Sequence, residues 1–180
     1  PNLTDQAMRS PVARYWIPPL DEWLKAAHYD PNKNGEGEGG WWQYPNGTDQ
    51  PLTPGLPGEP GAQTSYQLDV AQFDERTIPV GAYPDVQSPY GLLDVSGGAA
   101  EWTESYRPDV FQLNRFFGGS VAGPNPFVDL GVNQDVIWRV GSESPTLPLG
   151  SVGIRIASAV PSPTSASLVG ITLLAGGAFR

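Results

Sequence analysis

Glycine and proline interrupt this chain so often that no long regular element can form. The 180 residues include 22 glycines and 20 prolines, nearly a quarter of the total. Proline removes a main-chain donor, and glycine weakens the interior of helices and strands. The 6 Trp, 7 Tyr and 6 Phe nevertheless supply the apolar area that disordered chains lack. We therefore expect one loop-rich globular domain with short strands and few helices.

Charge and cysteine content exclude several classes of function. The net charge is −9, and no Lys/Arg stripe is present, so nucleic-acid binding is not expected. The chain contains no cysteine, which excludes disulfides, thiolate metal sites and cysteine nucleophiles. A single histidine, His28, cannot form a histidine-rich zinc or iron site. Because the sequence starts at Pro1, we expect a processed chain or a fragment that lacks the N-terminal part of its domain.

One amphipathic helix is predicted over residues 19–28. Its apolar face follows the spacing i, i+3, i+4 and i+7 and consists of Leu20, Trp23, Leu24 and Ala27. Pro19 suits the first helical position, and Pro31 is expected to end the helix. We expect the apolar face to pack on the core together with Trp102. For His28, near the helix C-terminus, a capping or surface role is a simpler interpretation than catalysis.

Short strands are predicted in the second half of the chain. They cover residues 77–83, 114–121 and 150–158. In the last of these, Val152, Ile154 and Ile156 alternate with other residues, a pattern typical of a half-buried strand. Residues 30–66 are rich in glycine, proline and Asn, and we expect a long ordered loop held by the aromatic cluster at 41–44.

The start of this loop matches the first half of an EF-hand calcium loop. Asp30, Asn32 and Asn34 place side-chain oxygens at positions 1, 3 and 5, and Gly35 follows at position 6. Position 12 is Trp41 and not the bidentate Glu that closes such a site. An Asx-rich turn without metal is therefore the simpler interpretation, and calcium is the alternative.

Two carboxylates and the tryptophans are further candidates. Asp94 and Glu101 flank a Gly- and Ala-rich stretch and could act as an acid–base pair. A turn in which Glu101 accepts main-chain hydrogen bonds or helps to bind a cation is the simpler interpretation. The six tryptophans could form a sugar-stacking platform, although in a loop-rich domain they more often belong to the core.

Five blocks, in this order, resemble motifs of the formylglycine-generating enzyme / sulfatase-modifying factor family. Residues 15–27 keep the Pro, the Glu-Trp and the Ala-Ala of the family's first motif. The others are Pro-Val-Gly-Ala-Tyr-Pro at 79–84, Pro-Tyr-Gly-Leu and Glu-Trp-Thr within 88–103, Phe-Gly-Gly-Ser at 117–120 and Gly-Ile-Arg-Ile-Ala at 153–157. No single block is decisive, and the signal lies in their order and spacing.

This resemblance implies an α+β, C-type-lectin-like fold for residues 1–159. Active members oxidise a substrate cysteine with two cysteines that bind copper, which would fall near Gly123 and Val128. Because the chain has no cysteine, no copper and no catalytic residue of that kind are expected.

The family's calcium site maps onto Gly98, Ala99 and Glu101 of this chain. Gly98 stands where the family has an Asn ligand, and Ala100 stands where it has a Trp. The resemblance therefore implies a weakened or absent calcium site.

Residues 160–180 resemble the bacterial PEP-CTERM sorting signal. Pro161 and Pro163 precede the uncharged stretch 164–179, and Arg180 follows it. The usual Glu between the two prolines is Ser162, and only one Arg follows. Such tails imply export, a membrane-inserted precursor and later processing at the cell surface.

The function expected from these features is a non-catalytic binding module at the bacterial cell surface or in the extracellular matrix. Its ligand would be a glycan, a peptide or a protein, and the sequence does not select among them. One alternative is an enzyme of different mechanism that uses Asp94, Glu101 or His28. Another is a structural component of the matrix.

Overall fold

The computed structural model describes residues 12–65, 68, 78–97, 99–106, 115–118, 137, 141–144 and 152–158. In these ranges the fold is α+β and loop-rich, with one helix and eight short strands, as expected. The elements are β1 (Tyr15–Trp16), α1 (Leu20–His28), β2 (Tyr29–Asp30), β3 (Gly40–Trp41), β4 (Ala100–Tyr106), β5 (Arg115–Gly118), β6 (Gly141–Glu143), β7 (Val152–Ile154) and β8 (Ala157–Ser158). The predicted tail at 160–180 lies outside the described residues.

The largest sheet has four strands in the order β6-β5-β4-β7. Strand β4 is antiparallel to β5 and parallel to β7, so that Trp102 lies opposite Phe117 on one side and Ile154 on the other. Two small antiparallel pairs complete the described strands, β1 with β8 and β2 with β3. The β1–β8 pair joins Tyr15 to Ser158, close to both limits of the described chain.

The helix begins one residue later than predicted. Pro19 occupies the N-cap position with an extended ψ of 164°, and its carbonyl accepts a hydrogen bond from the Trp23 amide at 3.0 Å. The free amide of Leu20 donates to Ser105 Oγ in β4 at 3.0 Å, which satisfies an otherwise unpaired donor of the first turn. The helix ends at His28, before Pro31, because Tyr29 is already extended and starts β2.

The apolar face of α1 packs on the core as predicted. Trp23 and Ala27 are buried against Val95, with Leu24 and Leu92 at the margin of the cluster. Trp102, which was expected to join them, is half-buried and does not belong to this cluster. No described helix is long and apolar enough to cross a membrane.

Gly118 of β5 lies directly under the indole ring of Trp23. A Cβ atom built at Gly118 would lie 2.5 Å from Trp23 Cζ3, closer than side-chain atoms can approach. This glycine belongs to the Phe-Gly-Gly-Ser block, so packing against the helix explains why that position cannot carry a side chain.

Two of the strand predictions need correction. The described residues 78–83 form turns, because Pro79 accepts a hydrogen bond from the Ala82 amide and Gly81 has a φ of +78°. Segment 150–158 is divided into β7 and β8, and its alternation has the opposite phase: Ile154 and Ile156 are exposed, whereas Arg155 is half-buried. The prediction at 114–121 corresponds to β5 in its described part.

Replacing Trp23 tests the role of the helix in the core. Truncating a buried Trp to Ala typically costs about 3–5 kcal/mol, a large share of a domain's stability. We expect Trp23→Ala to lower the free energy of unfolding by that amount in urea titrations followed by circular dichroism. Val80→Ala is the control, because Val80 is almost fully exposed. Equal unfolding midpoints for the two variants would contradict the assignment of Trp23 to the core.

Candidate functional site

Glu101 connects three distant parts of the chain. Its Oε2 accepts a hydrogen bond from Trp23 Nε1 of α1 at 2.7 Å and one from Arg155 Nε at 2.8 Å. Its Oε1 accepts a hydrogen bond from Arg155 Nη2 at 2.6 Å, and the same nitrogen donates to the Leu93 carbonyl at 2.9 Å. The Glu101 and Arg155 side chains are only 12% and 26% exposed, so the pair is weakly screened by water.

This bidentate pairing decides what Glu101 can do chemically. Both carboxylate oxygens already accept charge-assisted hydrogen bonds, which are the strongest kind in proteins. The residue predicted as a calcium ligand therefore serves as the counter-ion of Arg155, and a calcium ion would have to displace that guanidinium. Ala99 is exposed beside it, whereas Gly98 lies outside the described residues. The calcium site stays a prediction; the described chain contains no cluster of acidic residues or His suited to a metal.

Asp94 is bound to a different partner. Its Oδ2 accepts a hydrogen bond from the Gly81 amide at 2.6 Å, and its φ of 56° is unusual for a residue with a side chain. It lines a small surface hollow with Tyr83, Ser88 and Ser96. Since Asp94 and Glu101 each bind their own partners, the described contacts do not join them in one acid–base network.

His28 is buried and not at the surface, which corrects the expectation of a surface role. Only 2% of the residue is exposed, and its ring lies 6.1 Å from that of Trp23. Burial lowers its pKa to about 4, and a hydrogen bond with the main chain of Trp42 acts in the opposite direction. Its Nδ1 has no hydrogen-bond partner among the described residues, so it does not cap the helix through that atom. His28 is therefore neutral at pH 7.

The sequence did not single out Tyr29 and Trp41 as a pair. Strands β2 and β3 place Tyr29 directly opposite Trp41, and the two rings meet edge to face with centroids 5.2 Å apart. Trp41 is 47% exposed, an unusual position for so large an apolar side chain. We call residues 29–42 the aromatic hairpin. The feature of the sequence from which the pair could have been predicted is the adjacent Trp41 and Trp42 in a glycine-rich loop.

Lys33 holds the hairpin together from inside its loop. Its Nζ donates to the Trp41 carbonyl at 2.6 Å and to Asp49 Oδ2 at 3.0 Å, and it lies 4.1 Å from the centre of the Trp42 ring. Hydrogen bonds from the Gln43 amide and from Lys33 lower the pKa of Asp49. Because Asp49 is ionised and well exposed, the pair mainly fixes the position of Lys33.

The residues that resembled half an EF-hand loop are engaged in this hairpin. Asp30 Oδ1 accepts the Asn32 amide at 2.8 Å, and its Oδ2 accepts Trp42 Nε1 at 3.1 Å. Asn32 Oδ1 accepts the Gly37 amide at 2.9 Å. These contacts form an Asx-type turn, the simpler of the two interpretations of the sequence.

Comparisons with known proteins identify a similar fold and no family. No family model matches the sequence, and no curated protein matches it. The crystal structure of CarF is similar, with a TM-score of 0.55 and 20% identity over 85% of this chain and 50% of that chain. The structure of Treponema denticola variable protein 1 has a TM-score of 0.50 and 18% identity over 80% of this chain and 47% of that one. The chain thus spans about half the length of each.

Removing the charge of Glu101 tests whether the ion pair stabilises the fold. Glu101→Gln keeps the shape and an acceptor for Trp23 but leaves the guanidinium of Arg155 without its counter-ion. Breaking a buried pair in this way costs about 3–5 kcal/mol, and the partial exposure of Arg155 reduces our expectation to about 2 kcal/mol in urea unfolding. Asp49→Asn, which breaks the exposed pair with Lys33, is the matched control and should change stability little. A Glu101→Gln protein as stable as the control would show that the pair contributes nothing.

The buried His28 predicts a loss of stability in mild acid. The folded protein takes up this proton only near pH 4, whereas the unfolded chain takes it up near the ordinary histidine pKa of 6.5. Stability is therefore complete above pH 6.5 and falls as the pH drops towards 4, by at most roughly 3 kcal/mol from this group. We expect urea unfolding at several pH values to show this slope and His28→Gln to flatten it between pH 6.5 and 5. Parallel pH profiles for the two proteins would refute the assignment.

Proposed function

We propose that this chain is a non-catalytic binding domain of the sulfatase-modifying factor family, with a C-type-lectin-like fold. The proposal rests on one observation, the side-chain contacts of Glu101. The carboxylate at the family's metal-site position is committed to Arg155 and Trp23. Trp41, one of the exposed aromatic side chains, lies elsewhere, on the aromatic hairpin. Because a fold can be kept while the site it carries differs, these contacts support a binding role in place of the family's reaction.

Contacts between the motif blocks support the proposed family. Glu101 of the third block bonds Trp23 of the first and Arg155 of the fifth, and Gly118 of the fourth packs against Trp23. Gly81 of the second block donates to Asp94 of the third. Blocks that occur in the family's order thus also meet in space. The similarity to CarF and to the variable protein, at 20% and 18% identity, adds support for the fold alone.

The domain is proposed to have lost the family's oxidase chemistry. Copper(I) prefers soft thiolate ligands, and the sequence has no cysteine. We expect the purified protein to bind no stoichiometric copper and to form no formylglycine in a cysteine-containing peptide, measured by mass spectrometry. A boiled sample is the control. Conversion above that control would contradict the proposal.

We also propose export and sorting to the cell surface through residues 160–180. The sequence there has the order of a sorting signal, with two prolines, an uncharged stretch and a final Arg180. We expect a chain ending at Val160 to be released from bacterial membranes, whereas the full precursor remains with them in fractionation followed by immunoblotting. The variant Arg180→Ala keeps the apolar stretch and removes only the charge. It therefore distinguishes recognition of the sorting signal from retention in the membrane by the apolar stretch alone. Membrane retention of the shortened chain would contradict this part of the proposal.

The binding function itself is tested by a screen of glycans, peptides and proteins against the full chain, with and without calcium. A saturable ligand supports the proposal, and a calcium requirement would indicate that the cation displaces Arg155 from Glu101. The absence of any ligand in all three classes would contradict it.

A further inference from the structure

We propose that an exposed apolar face made of Tyr15, Ile154 and Ile156 lies against the lipid membrane, an inference that rests on the membrane tail proposed at 160–180. These three side chains are 71%, 58% and 54% exposed. Single exposed apolar residues are common on soluble domains, whereas adjacent ones mark surfaces that bind a partner or a membrane. We call the three residues the terminal face.

The ion pair of Arg155 turns the two isoleucines outward. Arg155 lies between them in the sequence and points inward, where it donates to Glu101 at 2.6 and 2.8 Å. Neighbouring side chains of an extended segment point to opposite sides, and Ile154 and Ile156 are accordingly both exposed. The contact that holds the frame of the fold therefore also fixes which side of this segment faces outward.

The pairing of β1 with β8 adds Tyr15 to the same side. Tyr15 lies opposite Ser158, an exposed residue two positions after Ile156. Residues directly and diagonally opposite on one side of an antiparallel pair are close enough for their side chains to interact. Trp16, the next residue of β1, belongs to the other side, and its Nε1 donates to Glu22 at 2.9 Å. The carboxylate of Glu22 is thus directed away from the terminal face.

The part of the chain that forms β7 and β8 has no carboxylate side chain. The last of the 19 acidic residues is Glu143, and the only charged side chains of residues 144–180 are those of Arg155 and Arg180. Arg14, exposed just before β1, adds a positive charge. A chain of net charge −9 is repelled by anionic lipids when its acidic surfaces approach them. This part of the chain contributes no such repulsion, which favours a lipid surface as the occupant of the terminal face.

The tail is attached close to the terminal face. Strand β8 ends at Ser158, and the uncharged stretch proposed to enter the membrane begins at Thr164. Six residues of fully extended chain cover at most about 20 Å, so an inserted tail keeps Ser158 within that distance of the membrane. Such a tether raises the effective concentration of the membrane at the face, so that a small apolar area is enough for docking. Tyrosine is moreover enriched at the interface between headgroups and hydrocarbon.

The test measures contact with lipid in the full chain, inserted into vesicles of phosphatidylethanolamine and phosphatidylglycerol. Because the sequence has no cysteine, Ile156→Cys and Val80→Cys each provide a single attachment site for a polarity-sensitive fluorophore. Val80 is the matched control, because it is exposed in a separate turn. We expect spin labels just below the lipid headgroups to quench most of the fluorescence at position 156 and little at position 80.

A second substitution tests whether the face acts as a unit. In the protein labelled at position 156, Tyr15→Ser should reduce the quenching, whereas Tyr90→Ser, which alters an exposed tyrosine elsewhere, should leave it unchanged. Equal quenching with and without Tyr15→Ser would overturn the assignment of the face. Circular dichroism and melting curves establish that each variant is folded, and Ile154→Cys provides a second attachment site on the face.

The outcomes separate this inference from the proposal on the tail. If the full chain floats with the vesicles but the labels at positions 156 and 80 are quenched equally, docking of the face is refuted and the membrane tail is still supported. If the chain does not float with the vesicles, both proposals fail. A label at position 156 that is shielded from aqueous iodide without vesicles shows that the chain itself or a second copy covers the face, which also overturns the inference; sedimentation distinguishes these two cases.

Discussion

The ion pair between Glu101 and Arg155 links separate parts of the described fold. It joins the central strand β4 to the segment between β7 and β8, and the same carboxylate holds the indole of Trp23 in α1. Because both side chains are largely buried, water cannot replace either partner of the ion pair. Helix, central strand and C-terminal segment are therefore positioned relative to one carboxylate, and the packing of Gly118 under Trp23 follows from that arrangement.

Residues of several motif blocks take part in this arrangement. Trp23, Glu101, Gly118 and Arg155 belong to four motif blocks, and their contacts serve the frame of the fold. A frame of this kind restricts substitutions whether or not a reaction takes place. The resemblance in these blocks therefore concerns the architecture of the backbone. The function depends on surfaces outside this frame, such as the aromatic hairpin.

Sequence patterns predicted the features that depend on residues close together in the chain. The helical spacing located α1 and the buried pair Trp23 and Ala27, because one face of a helix repeats within a few residues. A turn was expected at Glu101, which instead lies in strand β4 and pairs with β5 on one side and with the distant β7 on the other. Arg155 reversed the expected phase of its segment for the same reason. The aromatic hairpin was missed because exposure of Trp41 depends on tertiary packing and not on local composition.

The contact between Arg155 and Glu101 joins residues far apart in the sequence, and such contacts slow folding. Glu101 bonds Trp23 across 78 positions and Arg155 across 54, and β8 pairs with β1 from the opposite limit of the described chain. Contacts of such high sequence separation require closure of long loops and slow the search for the native state. A nascent chain that has not yet reached residue 155 lacks both the counter-ion of Glu101 and the partner of β1. Folding of this domain is therefore completed only after the strand at residues 157–158 has been synthesised.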